Sequence, residues 1–246
     1  GCAATGYDEK LGAELFGIIE QFADYAFNKS HSYGYGFIAY QTAYLKANHP
    51  VEYFAALLTS VKNNLEKAAV YLNECRQMGV QVLVPDVNVS ASNFTAVPDP
   101  DGGPLGSIPF GLSAVRNVGE GLVGHIVAER EANGPYADFY DFCERVDLSV
   151  LNKRTIESLI KAGAFDSCGH PRQGLLAVFE QIVDATVARR RERDMGVMTL
   201  FGEVDGGPVF DERIRIPDHE FDKMVRLAFE KEMLGLYVSD HPLMGA

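Results

Sequence analysis

Apolar residues recur at intervals of three and four along much of the chain, which is the period of an amphipathic helix. The first predicted helix has an apolar face made by Leu11, Leu15, Ile18 and Phe22. The second carries an aromatic stripe, which we interpret as core packing rather than as a stacking surface: Tyr33, Phe37, Tyr40 and Tyr44. The pattern therefore predicts helices from the first residues onward.

Caps and breakers divide the rest of the chain. Pro50 predicts the start of a third helix, and Asn64 and Gly79 bracket a fourth. The β-branched run 80–84 predicts a strand, which leads into a connection rich in Pro, Asp, Gly and Ser up to Pro109. Further helical patterns cover 111–130, 152–165, 171–195 and 221–235, with a linker at 202–218. The expected fold class is mainly α with a minor β element.

Composition and charge narrow the class of protein. The 246 residues include 22 Lys and Arg against 34 Asp and Glu, a net charge of −12, and 47% are hydrophobic. This balance is typical of a folded domain and argues against disorder. The longest apolar stretches fall far short of the about 20 residues that a membrane span needs, so we expect a cytoplasmic protein without a membrane partner. An acidic chain repels phosphate at long range, so any contact with nucleic acid must be local.

The four cysteines are Cys2, Cys75, Cys143 and Cys168, and no two are spaced as in a zinc site or a disulfide framework. We expect reduced and mostly buried thiols, and no metal site. The sequence also lacks a P-loop, a G-x-G-x-x-G fingerprint and a close acidic pair directly after a strand. No catalytic residue is therefore predicted in this chain.

The strongest local motif is a glycine-bearing turn at Asn117-Val118-Gly119-Glu120-Gly121, here called the first bend, between two helical patterns. This arrangement is typical of a helix-hairpin-helix. Glycines permit a tight turn and close approach of a phosphate, and the amides and dipole of the second helix can bind a phosphate oxygen. An ordinary pair of helices with a glycine turn fits the pattern equally well.

A second, degenerate copy is predicted at 152–166, with its turn at 162–164, here called the second bend. Gly163 would make that turn, and Lys153 and Arg154 could contact phosphates. Taken singly, each of these two cations is more simply interpreted as a solvated turn residue.

A polar insert at Asn28-Lys29-Ser30-His31 separates the first two helices, and His31 and Tyr35 are an i, i+4 pair. Such a cluster can bind a triphosphate, with Lys as the cation and the others contacting phosphate, sugar or base. Ordinary helix caps and a structural histidine would account for the same residues.

Taken in order, these motifs resemble the bacterial replicative DNA polymerase III alpha subunit, a C-family polymerase. The longest matching strings are Phe22-Ala-Asp-Tyr-Ala-Phe-Asn-Lys-Ser-His31, Ala39-Tyr-Gln-Thr-Ala-Tyr-Leu-Lys-Ala-Asn-His-Pro50 and Glu232-Met-Leu-Gly-Leu-Tyr-Val-Ser-Asp-His-Pro242. A further string of ten residues lies at 157–166, and shorter ones lie at 52–58, 85–88, 110–112, 117–119, 141–142 and 152–154. The resemblance covers nearly the whole chain, and its last part is most similar to the actinobacterial branch.

The resemblance implies that the chain is an internal segment of a DNA-directed DNA polymerase that acts in replication. Residues 1–110 would be the rear part of the fingers domain, and 111–170 a tandem helix-hairpin-helix module that binds duplex DNA. Residues 171–205 would form a helix and a clamp-binding peptide, and 206–246 a linker and helix leading to an oligonucleotide-binding fold. The palm domain, with the ligands of Mg²⁺, would precede the chain, so the segment alone is expected to be inactive.

The resemblance also assigns partners and sites. Asn28, Lys29, Ser30, His31 and Tyr35 would border the pocket for the incoming dNTP, and the two bends would hold primer-template DNA. Leu200 and Phe201 match the apolar anchors of a peptide that binds the sliding clamp, among other replisome subunits. Val197 replaces the usual Gln, which removes a polar contact worth about 1 kcal/mol, so we expect weakened clamp binding.

Two other functions fit parts of the pattern. One is a non-enzymatic DNA-binding scaffold of DNA repair built on tandem hairpins, which would have no need of the aromatic helices before residue 60. The other is a helical adaptor recruited through Leu200 and Phe201.

Overall fold

The computed structural model describes residues 2–26, 29–99, 105–195, 213–240 and 242. The chain divides into two compact units, residues 1–49 and residues 50–246. The structure is mainly helical, as the sequence predicts. None of the described helices has both the length and the apolar character that crossing a bilayer requires.

The first unit contains a short 3-10 helix, Cys2–Thr5, followed by α1 (Glu9–Ala26) and α2 (Lys29–Asn48). Both α-helices match the predicted periodicity. The expectation that the aromatic stripe of α2 packs into a core is wrong: no residue of α2 is buried, and the side chain of Tyr33 is 82% exposed. Phe16 and Phe22 on α1 are also exposed. Helical spacing identified these faces, but spacing alone does not say what covers a face.

The second unit contains seven α-helices among the residues described: α3 (Pro50–Ser60), α4 (Leu65–Gln77), α5 (Glu120–Asn133), α6 (Phe139–Arg145), α7 (Lys153–Ala162), α8 (Arg172–Asp194) and α9 (Lys223–Leu234). Two further 3-10 helices span Leu112–Ala114 and Asp166–Cys168. Predictions at 152–165, 171–195 and 221–235 correspond to α7, α8 and α9. Helix α6 had no counterpart in the prediction.

Local signals fix the ends of α4. The side chain of Asn64 accepts a hydrogen bond from the amide of Lys67, which is a helix N-cap. After the last turn, Gly79 adopts φ = +75°, a left-handed conformation that favours glycine. Pro50 likewise occupies the first position of α3, where its missing N–H costs nothing.

The β element is a pair of short parallel strands, β1 (Gln81–Leu83) and β2 (Ser107–Pro109). Gln81 lies opposite Ser107, and Val82 opposite Ile108. An isolated antiparallel bridge joins Val97 to Ser107. The predicted strand at 80–84 is therefore present as β1. Its partner β2 lies within the connection that the sequence predicts up to Pro109.

Aromatic side chains from several elements meet in the core of the second unit. The ring of Phe165 packs edge-on against Phe139 and Phe142, with centroids 5.1 and 4.9 Å away. Tyr136 lies 4.9 Å from Phe142, and its hydroxyl donates to the carbonyl of Ile126 at 2.8 Å. These contacts join α5, α6 and the segment after α7 around one core.

Three cysteines belong to this core. Cys75, Cys143 and Cys168 are buried free thiols, as predicted. Burial in apolar surroundings raises the pKa of each of these thiols to about 12. Thiols of this kind are inert.

A buried polar network connects α8 with α9. The guanidinium of Arg172, which is 3% exposed, donates to Asp166 at 2.6 and 2.9 Å and to Glu230 at 3.4 Å. Glu230 also accepts hydrogen bonds from the amide and hydroxyl of Ser239. Because each buried charge has a partner, the network can be accommodated in the interior.

Candidate nucleic-acid interface

The first bend lies at the surface, and its last two residues, Glu120 and Gly121, are the first two residues of α5. Asn117 adopts φ = +65°, the one positive value among the described residues other than glycine. Gly119 is the N-cap of α5, in an extended conformation. The helix predicted before the bend is not an α-helix: only Leu112–Ala114 is helical, as a 3-10 turn, and the backbone of Val115 is already extended. The first hairpin is therefore shorter on its N-terminal side than the apolar spacing predicts.

The glycines of the first bend face open space. A Cβ atom built on Gly119 or Gly121 would have no neighbouring atom within 4 Å, and both residues are exposed. Gly119 provides no side-chain cap to the amides of the first turn of α5. Because an α-helix leaves its first amides without partners inside the helix, these donors are open to an external acceptor.

Val118 has a different position from its neighbours in the bend. Its side chain is buried, and its amide donates to the carbonyl of Val115 at 3.2 Å. Val118 therefore anchors the bend to the core, and neither its side chain nor its amide is available for a phosphate.

The second helical hairpin differs from the predicted one. Its helices are α6 and α7, and the connecting turn covers residues 146–152, ahead of α7. Asn152 caps α7 by accepting hydrogen bonds from the amides of Arg154 and Thr155 at 2.9 and 3.4 Å. The helix N-terminus in this hairpin therefore carries Lys153 and Arg154 and does not involve Gly163.

Gly163 ends α7 and does not begin a new helix. Its amide donates to the carbonyl of Ile160 at 3.0 Å, and the amide of Ala164 donates to Leu159 at 2.9 Å, the pattern of a Schellman cap. Gly163 is buried, with φ = +89°, and a Cβ atom there would overlap the guanidinium of Arg172. The structure thus gives Gly163 a capping role and no exposed amide, which corrects the predicted position of the second turn.

Side chains on the two hairpins contact each other. The side-chain amide of Asn117 donates to the hydroxyl of Ser158 at 3.0 Å, and the hydroxyl of Thr155 donates to the carbonyl of Asn117 at 3.2 Å. Ser158 and Thr155 both lie on α7. The first bend is consequently held beside the first two turns of α7.

The cations near the hairpins have different environments. Lys153 forms ion pairs with Glu180 at 3.2 Å and Asp184 at 2.9 Å, which raise its pKa. Arg154 is exposed and forms no ion pair with any described residue, and the same holds for Arg116, next to the bend. Sequence reasoning missed Arg116. Its position directly before the Asn117–Gly121 turn was the signal that could have identified it.

Glu120 places a negative charge at the start of α5. Its carboxylate accepts a hydrogen bond from the ammonium group of Lys62 at 2.7 Å. That bond, together with the positive charge of Lys62, lowers the pKa of Glu120. The first bend therefore combines open amides with a carboxylate that a lysine neutralises.

Comparison with known proteins identifies the relatives of this chain. A family model described as a helix-hairpin-helix motif matches residues 79–175. The DNA polymerase III subunit alpha of Mycobacterium tuberculosis (strain H37Rv) is 48% identical over 250 residues, covering 100% of this chain and 20% of that protein. That of Mycobacterium leprae is 49% identical over 245 residues, with the same two shares. That of Pseudomonas aeruginosa is 40% identical over 261 residues, covering 99% of this chain and 22% of that protein.

The chain is homologous from end to end to part of the DNA polymerase III alpha subunit. The resemblance inferred from its motifs is thereby confirmed, including the higher similarity to actinobacterial proteins. The chain spans about a fifth of the length of the curated relatives it matches.

In this homologue of DNA polymerase III alpha, the predicted nucleotide-binding residues are grouped at the start of α2. Lys29, Ser30 and His31 are exposed in its first turn. The rings of His31 and Tyr35 are in contact, with centroids 4.2 Å apart. Asn28 lies outside the described residues. The helical spacing thus correctly predicted the His31–Tyr35 pair, and its binding of a nucleotide stays a prediction.

Two further predictions concern regions or ligands that the structure does not describe. Leu200 and Phe201 of the predicted clamp-binding peptide lie outside the described residues, as does Val197. In the described ranges, no group of three or more His, Cys, Asp or Glu side chains is placed to hold a metal ion.

Proposed function

We propose that this chain is part of a DNA-directed DNA polymerase of DNA replication and that it holds duplex primer-template DNA at the first bend and the N-terminus of α7. The observation that carries the proposal is the open first turn of α5, where Gly119 and Gly121 leave the backbone amides accessible. The match to a helix-hairpin-helix family and to DNA polymerase III alpha subunits supports it.

Backbone donors explain how a chain with a net charge of −12 can hold DNA. Each amide of the open turn can donate to a phosphate oxygen, and the helix dipole favours the negative charge. Arg116 and Arg154 add two exposed cations, one on each hairpin. Contacts of this kind position the duplex without reading its sequence, which suits an enzyme that must accept any template.

The start of α2 is proposed to contact the incoming dNTP. Lys29 supplies a positive charge for the triphosphate, Ser30 supplies a hydroxyl, and the His31–Tyr35 pair supplies an aromatic surface for sugar or base. Asn28 belongs to the same proposal. In the complete enzyme, Mg²⁺ held by residues outside this segment would neutralise the phosphates during attack by the primer 3′-hydroxyl. The residues of this chain would bind and orient the nucleotide.

Further partners follow from the same proposal. Leu200 and Phe201 would dock on the sliding clamp, with reduced affinity because Val197 cannot donate or accept the hydrogen bonds of a Gln. Other replisome subunits would bind the complete enzyme, and the site of action would be the cytoplasm.

The test of duplex binding is the substitution Gly119→Val. A valine at this open, extended position has space around it, so the fold should remain intact while the side chain holds phosphates away from the amides. Duplex affinity, measured by fluorescence anisotropy at a fixed salt concentration, should fall about tenfold, the effect of losing one or two charged hydrogen bonds.

Gly124→Val is the matched control. Gly124 lies on the same helix, and a Cβ atom there also meets nothing within 4 Å, but the residue is outside the first turn. Equal affinities for the Gly119→Val and Gly124→Val variants would contradict the proposed DNA contact. Matching unfolding midpoints would verify that neither substitution acts through the fold.

A further inference from the structure

Lys62 reaches the first bend from a part of the chain that is distant in sequence. It lies in the turn after α3, and its ammonium nitrogen is 2.7 Å from the carboxylate of Glu120. The same nitrogen is 3.0 Å from the side-chain oxygen of Asn93 and 3.5 Å from the hydroxyl of Ser113. An ammonium group has three N–H donors, so its hydrogen bonds can be directed to these three acceptors together.

The loop that carries Asn93 is fixed against the segment before the bend. A Cβ atom on Gly111 would lie 2.7 Å from backbone atoms of Ser92 and Asn93, so the two segments are in close backbone contact. The amide of Leu112 donates to Ala91 at 3.0 Å, and that of Ser113 donates to Ser92 at 3.1 Å. The side chain of Lys62, which is 22% exposed, is therefore held in one position.

The position of Glu120 creates a conflict that Lys62 can resolve. A carboxylate in the first turn stabilises a helix through its dipole, but it occupies the place that also attracts a phosphate. The carboxylate of Glu120 and a phosphate bound at the same helix N-terminus would repel each other, because both are negatively charged. A cation bound to the carboxylate removes most of this repulsion.

The second hairpin does not have this conflict. The first turn of α7 contains no acidic residue, and it begins with Lys153 and Arg154. Lys153 is directed toward Glu180 and Asp184 on α8. The acidic first residue of α5, in contrast, is bound by Lys62, a lysine from outside that helix.

We propose that Lys62 is a positioning residue for phosphate binding at the first bend: its ammonium group binds the carboxylate of Glu120 and offsets its charge, so that a DNA phosphodiester can approach the amides of α5. This inference rests on the proposed duplex binding. It adds a requirement for a specific cation outside the hairpin.

The test compares Lys62→Gln, Glu120→Gln and the double variant in the full chain, with duplex DNA as the probe and fluorescence anisotropy as the readout. Lys62→Gln retains a donor for Asn93 but loses the charge, and it should weaken duplex binding about fivefold, the effect of one uncompensated charge near a solvated phosphate. Glu120→Gln should bind at least as tightly as the parent chain. The double variant should recover the affinity of Glu120→Gln.

Two controls separate charge from structure. Lys62→Arg keeps the positive charge and should retain the affinity. Lys67→Ala removes one positive charge from α4, where the lysine has no ion pair with any described residue, and should leave the affinity unchanged. A purely structural role of Lys62 would lower the unfolding midpoint of the double variant as well and would give no recovery of affinity.

The outcomes distinguish this inference from the proposed function. The role of Lys62 is overturned if Lys62→Gln binds DNA as the parent does, or if adding Glu120→Gln to Lys62→Gln fails to restore binding. In either case, weak binding by Gly119→Val would still support the duplex contact. If the parent chain does not bind duplex DNA, both proposals fail.

Discussion

The side-chain amide of Asn117 donates to the hydroxyl of Ser158 at 3.0 Å and thereby fastens the first bend to α7. A second bond, from the hydroxyl of Thr155 to the carbonyl of Asn117, reinforces this connection. The open amides at the start of α5 and the exposed cation Arg154 at the start of α7 are consequently held in one arrangement. A rigid pair of sites can bind two phosphates of a duplex without first paying the entropy of ordering them.

Asn117→Ala should lower the free energy of unfolding by about 2 kcal/mol, because alanine loses the bond to Ser158 and is strained at positive φ. Asn117→Gly also loses the bond to Ser158, but glycine adopts positive φ without strain. Its loss of unfolding free energy should therefore be about 1 kcal/mol smaller than that of Asn117→Ala. Urea unfolding of the three proteins measures both differences. A larger loss for glycine than for alanine would show that backbone strain at this position is unimportant.

A different pair of residues determines the role of the second bend. A Cβ atom on Gly163 would overlap the guanidinium of Arg172, which its hydrogen bonds to Asp166 hold in place. Gly163→Ala should therefore lower the free energy of unfolding by about 1 kcal/mol, because alanine is strained in a left-handed backbone conformation. It should lower it by about 1 to 2 kcal/mol more, because the new methyl group displaces the buried guanidinium of Arg172.

Gly169→Ala is the matched control for this prediction. Gly169 has a similar φ of +77°, but a Cβ atom there meets nothing within 4 Å. The substitution should thus cost only the backbone component, about 1 kcal/mol. Equal losses of unfolding free energy in the two variants, measured in urea, would mean that the contact with Arg172 contributes nothing.

Local signals in the sequence were sufficient to predict the elements that depend on local interactions. The bounds of α4 follow from a side-chain cap at Asn64 and a left-handed glycine at position 79, and both are encoded within a few residues. The contact between His31 and Tyr35 follows in the same way from helical spacing. These features do not depend on contacts with residues that are distant in sequence.

Features set by distant contacts could not be predicted. The segment before the first bend has helical spacing, but it packs closely against Ser92 and Asn93 and becomes a 3-10 turn followed by extended backbone. Gly163 has the sequence context of a hairpin turn, yet no α-helix begins until Arg172, so it serves as a C-cap. Helix α6 was missed although Asp138 caps it by accepting from Asp141. With seven residues it is too short for periodicity to identify.

The proposed nucleotide contact can be tested at Lys29, which is exposed at the first position of α2. In a polymerase that contains this chain, Lys29→Ala should raise the KM for dNTP or lower kcat, together about tenfold in kcat/KM, because a charged hydrogen bond to the triphosphate is lost. Single-nucleotide insertion on a primer-template measures both constants. Lys46→Ala, in the last turn of the same helix, removes the same charge and should leave both constants unchanged. If the two variants have the same kinetics, Lys29 does not contact the nucleotide, and the polar insert is then only the connection between two helices.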